Sequence, residues 1–216
     1  MPIDDIVACA VAAERAGFSH IAVADASLQA QGLALAATDS TGFSGVVATF
    51  TDADPAGIAG DYVATIDWGD GTTSAGVITT LAGGFAVSGS HSFGQGVFSI
   101  TTSIRDAGGA VAVATGTFTV DLTPPDTSAL VIGTLHHNGW WFTADPGTLT
   151  LTATDDLTGV KAIYYTINGG APQLYTGPVT LAQGRYVITY WAVDGAGNVE
   201  PADTILIDVT GRKPKE

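Results

Sequence analysis

Cysteine, positive charge and long apolar runs are all scarce in this chain of 216 residues, and each scarcity excludes something. The single cysteine, Cys9, rules out an intrachain disulfide framework. Seven Lys and Arg stand against 21 Asp and Glu, a formal net charge of −14. Such a surface repels nucleic-acid phosphates and anionic lipid headgroups, so no nucleic acid is expected as a partner. No apolar stretch approaches the roughly 20 residues that a spanning helix needs, and no membrane insertion is expected. An export signal is missing too: Met1-Pro-Ile-Asp-Asp5 is acidic where a signal peptide is basic, and Glu14 and Arg15 break the apolar stretch Ile6–Ala13. A chain that works outside the cell is then expected to be a fragment of something larger.

What is plentiful is the vocabulary of short strands. Twenty-eight glycines accompany a sequence dominated by Thr, Val, Ala and Ile, residues that suit pleated strands joined by tight turns. Residues 1–19 stand apart and read as a helical or irregular segment, with Ile6, Val7, Ala10, Val11 and Ala13 on one apolar face and Gly17 as the stop. The phrase Ala13–Asp25 resembles the first helix and second strand of luciferase-like flavin-dependent monooxygenases, but the rest of such a barrel is missing. From residue 20 onward, apolar and small polar residues alternate in short runs. These are Ile21–Ala24, Leu33–Ala37, Gly45–Thr51, Tyr62–Trp68, Ala75–Thr80, Gly84–Ser88, Val97–Ile104 and Ala110–Val120.

The stretch Asp121-Leu-Thr-Pro-Pro-Asp-Thr127 interrupts the pattern, because its two prolines cannot donate ladder hydrogen bonds and hold the chain extended. Residues 122–127 therefore read as a linker between a first module over 20–121 and a second over 128–210. The second module's strands are expected at Leu130–Gly133, Trp140–Thr143, Thr148–Thr154, Ala162–Ile167, Gln173–Tyr175, Val179–Leu181, Gly184–Val193 and Thr204–Val209. The charged tail 211–216 carries no apolar anchor and reads as disordered. The fold class is all-β, two tandem immunoglobulin-like sandwiches after a short N-terminal segment.

Local physics accounts for the sharpest motifs. In Asp67-Trp-Gly-Asp-Gly71 the indole of Trp68 can bury at a strand end, Gly69 and Gly71 admit positive φ, and Asp70 can cap the turn. About thirty residues on come Gly89-Ser-His-Ser-Phe93 and a strand from Gly96 to Asp106, with His91 suited to a structural, hydrogen-bonded role. Together these phrases resemble the polycystic kidney disease (PKD) domain, an extracellular β-sandwich that serves as spacer or binding module. Phe93 stands where that family has tyrosine. Asn138-Gly-Trp-Trp141, Ala153-Thr-Asp-Asp-Leu-Thr-Gly-Val160, Ile163–Gly170, Gly184–Tyr190 and Asp194-Gly-Ala-Gly-Asn-Val-Glu200 resemble the bacterial immunoglobulin-like module appended to secreted glycosidases and cell-surface proteins. Trp141 stands where tyrosine is frequent there.

One constellation could hold an ion. Asp155 and Asp156 stand at one strand end and Asp194, Asn198 and Glu200 at another, and loops at one pole of a Greek-key sandwich can converge on a calcium ion. The commoner reading is that they form turns facing water. Calcium is the one cofactor the sequence admits. Thr51-Asp-Ala-Asp-Pro55 with Asp61 is a second oxygen-rich set without the spacing of an EF-hand loop.

Catalysis is not expected. Of His20, His91, His136 and His137 only the last two are close, and no Cys or carboxylate sits near them at zinc-ligand spacing. There is no Gly-x-Ser-x-Gly elbow and no glycine-rich loop between a strand and a helix. What remains is recognition at the surface. Alternation along Trp140-Trp141, Tyr164-Tyr165 and Tyr190-Trp191 turns one ring of each pair outward, and Trp140, Trp141 and Tyr175 are the candidates for stacking on sugar rings. Cross-strand pairing that stabilises the sheet without a ligand is the favoured explanation of outward rings. The expected function is a non-catalytic extracellular or cell-surface spacer and adhesion unit of a larger exported protein, monomeric when isolated, with a polysaccharide or surface protein as partner. The alternative is a carbohydrate-binding accessory region of a secreted polysaccharide-degrading enzyme.

Overall fold

The computed structural model describes residues 28–53, 56–132 and 135–210, with the side chains of 135–137 left aside. The helical reading of 1–19, the strand Ile21–Ala24 and the tail 211–216 lie outside these residues. Within them the protein is all-β, without an α-helix. The chain divides into two compact units, one built from residues 28–36 and 42–118 and the other from 37–41 and 119–210.

The first unit contains β1 (Gln29–Gly32), β2 (Gly42–Thr51), a 3₁₀ turn at Ala59–Asp61, β3 (Tyr62–Asp67), β4 (Thr73–Leu81), β5 (Gly84–Ser92), β6 (Gly96–Asp106) and β7 (Val111–Val120), whose last residues pass into the second unit. Hydrogen bonding orders them β1-β2-β5-β4-β3-β6-β7. The alternation read in the sequence decides which side chains turn inward. Tyr62, Ala64 and Ile66 of β3 are buried while Val63, Thr65 and Asp67 are exposed. A bulge between Val46 and Ala48 breaks the period on β2, so the adjacent Val47 and Ala48 are both buried. Aromatic rings fill the interior in two groups. Phe50, Tyr62 and Phe85 pack with centroids 4.8–5.0 Å apart, and Phe43, Trp68, Phe93 and Phe118 form the second group.

The sequence read Leu33–Ala37 as a strand; the structure pairs it only at isolated points. Leu33 N donates to Val47 O at 3.1 Å and Leu35 N to Thr117 O at 3.0 Å, so this segment leaves β2 and reaches β7 within three residues. A parallel bridge joins Ala34 to Thr117. Glycine makes the crossing possible. A Cβ on Gly116 would lie 2.1 Å from Leu33 O, and one on Gly32 would lie 2.2 Å from Thr115 O.

The second unit is a two-layer sandwich. Its strands are β8 (Asp126–Val131), β9 (Leu135–His137), β10 (Trp140–Ala144), β11 (Gly147–Thr154), β12 (Val160–Ile167), β13 (Gln173–Leu174), β14 (Val179–Leu181), β15 (Gly184–Asp194) and β16 (Asp203–Thr210). One sheet runs β13-β12-β15-β16-β10-β9 and the other β14-β11-β8. The β10–β16 pair is parallel and its partners in the sheet are antiparallel. The smaller sheet contributes Val131, Leu149, Leu151 and Leu181 to the core, and the larger contributes Tyr165, Ile188, Tyr190, Ile205, Ile207 and Val209. Segment 122–127, read as a linker, already carries structure. Pro125 and Thr127 are buried, and β8 begins at Asp126.

The crossing at Gly116 gives a direct test. Gly116→Ala forces a methyl group against a backbone carbonyl that cannot rotate away, and it should destabilise the first unit by about 1–3 kcal/mol. Urea unfolding followed by Trp68 fluorescence measures this, and an unchanged midpoint would contradict the crossing as described.

Candidate functional site

The polar residues singled out in the first unit form a closed corner. Trp68 is fully buried and its Nε1 donates to Ser74 Oγ at 3.0 Å. His91 stacks on the indole, with ring centroids 5.0 Å apart and planes 10° from parallel. The His91 Nε2 bonds Asp70 Oδ2 at 2.7 Å, while Asp70 Oδ1 accepts Thr72 N at 3.0 Å and Thr72 Oγ1 at 2.7 Å. Gly69 and Gly71 take φ of 79° and 88°, which only glycine adopts freely, and Gly69 N donates to Asp67 Oδ1. Asp106 closes the β6–β7 turn by accepting Ala110 N at 2.7 Å. Hydrogen bonds from Thr72 first, and from His91 next, hold the Asp70 carboxyl at about 2 instead of 3.8. Trp68, Gly69, Asp70, Gly71 and His91 thus act on this corner, and Asp106 on the β6–β7 turn. Of the second oxygen-rich set, Asp52 accepts the Tyr62 hydroxyl and Asp61 accepts Ile58 N, while residues 54 and 55 lie outside the described residues.

The second unit gathers its carboxylates at one pole, where three strands end in aspartate. Asp121 follows β7, Asp155 follows β11 and Asp194 ends β15. A ligand oxygen of each lies within 4.8 Å of the other two. Asp121 and Asp194 are fully buried. Asp194 Oδ1 accepts Gly197 N at 2.6 Å and Asn198 N at 2.8 Å, and its Oδ2 accepts Asn198 Nδ2 at 2.7 Å. Asp121 Oδ1 accepts Thr123 N and Oγ1, and its Oδ2 accepts Thr158 N at 3.0 Å and Thr158 Oγ1 at 2.7 Å. Burial pushes the Asp121 carboxyl up, but the bonds from Thr158 and Thr123 outweigh it and hold it below the usual carboxylate range. Asp155 Oδ2 accepts Leu157 N at 3.1 Å and Gly159 N at 2.7 Å. Asp155 Oδ1 is shielded from solvent and has no hydrogen-bond partner.

This arrangement is electrostatically unbalanced. At an effective dielectric of about 20, two like charges about 4.8 Å apart repel by roughly 3–4 kcal/mol. Among the described residues the ion pairs join His91 to Asp70 and Arg185 to Asp208, and neither reaches the pole. Backbone amides, threonine hydroxyls and the Asn198 side-chain amide supply the hydrogen-bond donors there.

Two members of the expected ion-binding set, Asp155 and Asp194, belong to the cluster. The other three have different work. Asp156 Oδ1 accepts Thr123 Oγ1, and Asn198 Nδ2 also donates to Asp121 O at 2.9 Å. Glu200 turns away into the sandwich. It accepts Thr127 N at 2.7 Å, Thr127 Oγ1 and Ala192 N at 2.9 Å, and so joins β8 of the small sheet to β15 of the large one. The sequence reading missed Asp121, which it placed as the last residue of the first module, at the edge of the Pro-containing stretch. The signal was present, because Val120-Asp121 repeats the pattern of an apolar or β-branched strand residue halted by Asp, as in Thr154-Asp155 and Val193-Asp194.

The aromatic candidates scatter. Trp141 and Tyr175 are partly buried and pack against the core cluster, and the Tyr175 hydroxyl accepts Leu151 N at 3.1 Å. Trp140 is half-buried beneath Arg185, whose guanidinium carbon lies 5.3 Å from the indole centroid. Tyr164 and Trp191 stack on each other with centroids 5.9 Å apart. Trp140 pairs with Leu206, and Leu206 with Val187, four residues along β15 from Trp191. That register puts Trp140 about 13 Å along the strand and two strands across from the stacked pair, so the outward rings make no continuous platform.

The family model of the chitobiase/beta-hexosaminidase C-terminal domain matches residues 142–204, inside the second unit. No curated protein matches the chain in sequence. Among solved structures, the fibronectin(III)-like modules of Clostridium thermocellum CbhA share 11% identity at a TM-score of 0.36, over 86% of this chain and 94% of that one. Cadherin domains 3–6 of protocadherin gamma B2 share 16% identity at a TM-score of 0.43, over 88% of this chain. A Corynebacterium diphtheriae protein described as membrane-anchored shares 12% identity at a TM-score of 0.36, over 88% of this chain. The chain spans 52% of the protocadherin fragment and 60% of the Corynebacterium one.

The Asp70 corner sets an acid response. Its carboxyl is held near 2 in the folded state and titrates near 3.8 when the corner is lost, so its contribution is complete above pH of about 4 and disappears as pH falls toward 2. Asp70→Asn should remove the part of the first unit's stability that varies over this window. Urea midpoints at pH 5, 4, 3 and 2.5 check this: the difference between native and variant should shrink as pH falls, and a constant difference would contradict it.

Proposed function

We propose that the chain is a non-catalytic accessory segment of a larger exported protein, in which rigid β-modules hold a partner domain at or beyond the cell surface. The observation that carries this reading is the match of residues 142–204 to the C-terminal domain model of chitobiases and β-hexosaminidases. That match favours a glycan hydrolase as the companion domain. The fate of the polar side chains supports the same reading. His91, Asp70, Asp106 and Glu200 all hold turns or join sheets through their hydrogen bonds. In the first unit the Trp68–Gly71 corner and its His91 contact give the PKD resemblance a physical basis as a rigid spacer. On this reading the chain is extracellular, monomeric when isolated, and meets its partners through its outer faces.

A second reading, a carbohydrate-binding accessory region, is favoured by the same match, and Trp140 is the remaining ring candidate for it. The two readings part in one experiment. As a spacer, the chain should show no retention on insoluble chitin or a glycan array and no turnover of a chromogenic N-acetylglucosaminide. Retention abolished by Trp140→Ala would replace the spacer reading with the carbohydrate-binding one, and turnover would contradict both.

A further inference from the structure

The pole of the second unit contains a polar atom that the fold itself does not satisfy. Asp155 is half-buried as a side chain, yet its Oδ1 is shielded from solvent and unpartnered, whereas its Oδ2 accepts two backbone amides. Shielded carboxylate oxygens without a partner are rare in folded proteins, because desolvation without compensation is strongly unfavourable. Asp155 belongs to the same cluster as the fully buried Asp121 and Asp194, one carboxylate oxygen of each lying within 4.8 Å of the others. Those two carboxylates are oriented by Thr123, Thr158, Gly197 and Asn198, so they are held in place before anything binds. No Lys or Arg among the described residues forms an ion pair with any of the three.

We propose that Asp121, Asp155 and Asp194 form a binding site for one calcium ion. The donor set is oxygen only, which suits a hard divalent cation and gives zinc neither the nitrogen nor the sulfur it prefers. Calcium–oxygen distances are about 2.3–2.6 Å, so two oxygens on one ion can stand up to roughly 5 Å apart. The observed limit of 4.8 Å between the three carboxylates falls inside that span. Magnesium, with bonds near 2.0–2.1 Å and strict octahedral demands, would require the buried side chains to close further. A bound calcium takes up the free Asp155 oxygen, relieves the mutual repulsion, and clamps the chain at Asp121 to the β11–β12 and β15–β16 loops. The site is independent of whether the protein is a spacer or a carbohydrate-binding region.

The test uses the whole chain, stripped with a chelator and titrated with calcium chloride, with magnesium chloride as comparison. Calorimetry should give one calcium per chain. At calcium 100-fold above the dissociation constant, the folding equilibrium of the second unit shifts about 100-fold, a rise on the order of 10 °C in its melting temperature. Asp155→Asn keeps an acceptor for Leu157 N and Gly159 N while removing the charge. It should weaken calcium binding at least tenfold, yet in chelator it should melt no lower than the native chain, because a repulsive charge is gone. Asp208→Asn, on the outer face, should leave the calcium response intact. The proposal is overturned if the native chain shows no heat of binding and melts identically in calcium and chelator. It is equally overturned if Asp155→Asn binds calcium as the native chain does.

Discussion

Carboxylates that accept backbone N–H groups are the interaction on which this structure depends. A buried carboxylate left alone is prohibitive, and an acidic chain with seven basic residues cannot pair many of them with Lys or Arg. The protein satisfies them with amides and threonine hydroxyls instead. Charge-assisted bonds of this kind contribute about 1.5–3 kcal/mol each, more than neutral ones, and they fix direction as well as distance. Glu200 shows the consequence most plainly, because its three donors come from β8 and β15, on opposite layers of the second unit. A loop carboxylate there becomes a tie between sheets that share a core but no ladder.

The first unit applies the same chemistry on a smaller scale. Asp67 and Asp70 shape the turn after β3, and Asp106 shapes the one after β6. Turns closed in this way place Trp68 against Phe43, Phe93 and His91, so the corner and the aromatic packing reinforce each other. The carboxylates of both units that the structure describes are thus largely committed to turns and ties between strands. This agrees with a role in positioning other domains, and it makes the unpartnered oxygen of Asp155 conspicuous.

Much of the fold was legible because alternation is a local signal. The runs Tyr62–Trp68, Val97–Ile104 and Thr148–Thr154 each lie within or against an observed strand, with inward and outward faces as the period dictates. The failures came where a neighbour decides the outcome. Leu33–Ala37 has the composition of a strand, but it changes partner from β2 to β7 at two glycine-dependent contacts that no local pattern announces. Aromatic content does not reveal depth, so the sequence did not show that Trp141 and Tyr175 are partly buried against the core or that the Tyr175 hydroxyl accepts Leu151 N. At the pole, sequence adjacency grouped Glu200 with Asp194 although they serve different ends. Asp121 was overlooked because the prolines after it dominated the reading of that segment.

The account's central claim is that the polar bonds at the pole and between the sheets are structural and persistent. Native-state hydrogen exchange measures this directly. The amides of Thr127, Ala192, Gly197, Asn198 and Thr158 are donors to carboxylates. They should exchange with protection approaching that of the strand interiors of β11 and β15, although three of them lie in loops. Exchange at the rate of exposed loop amides would contradict the claim that buried carboxylates organise this unit.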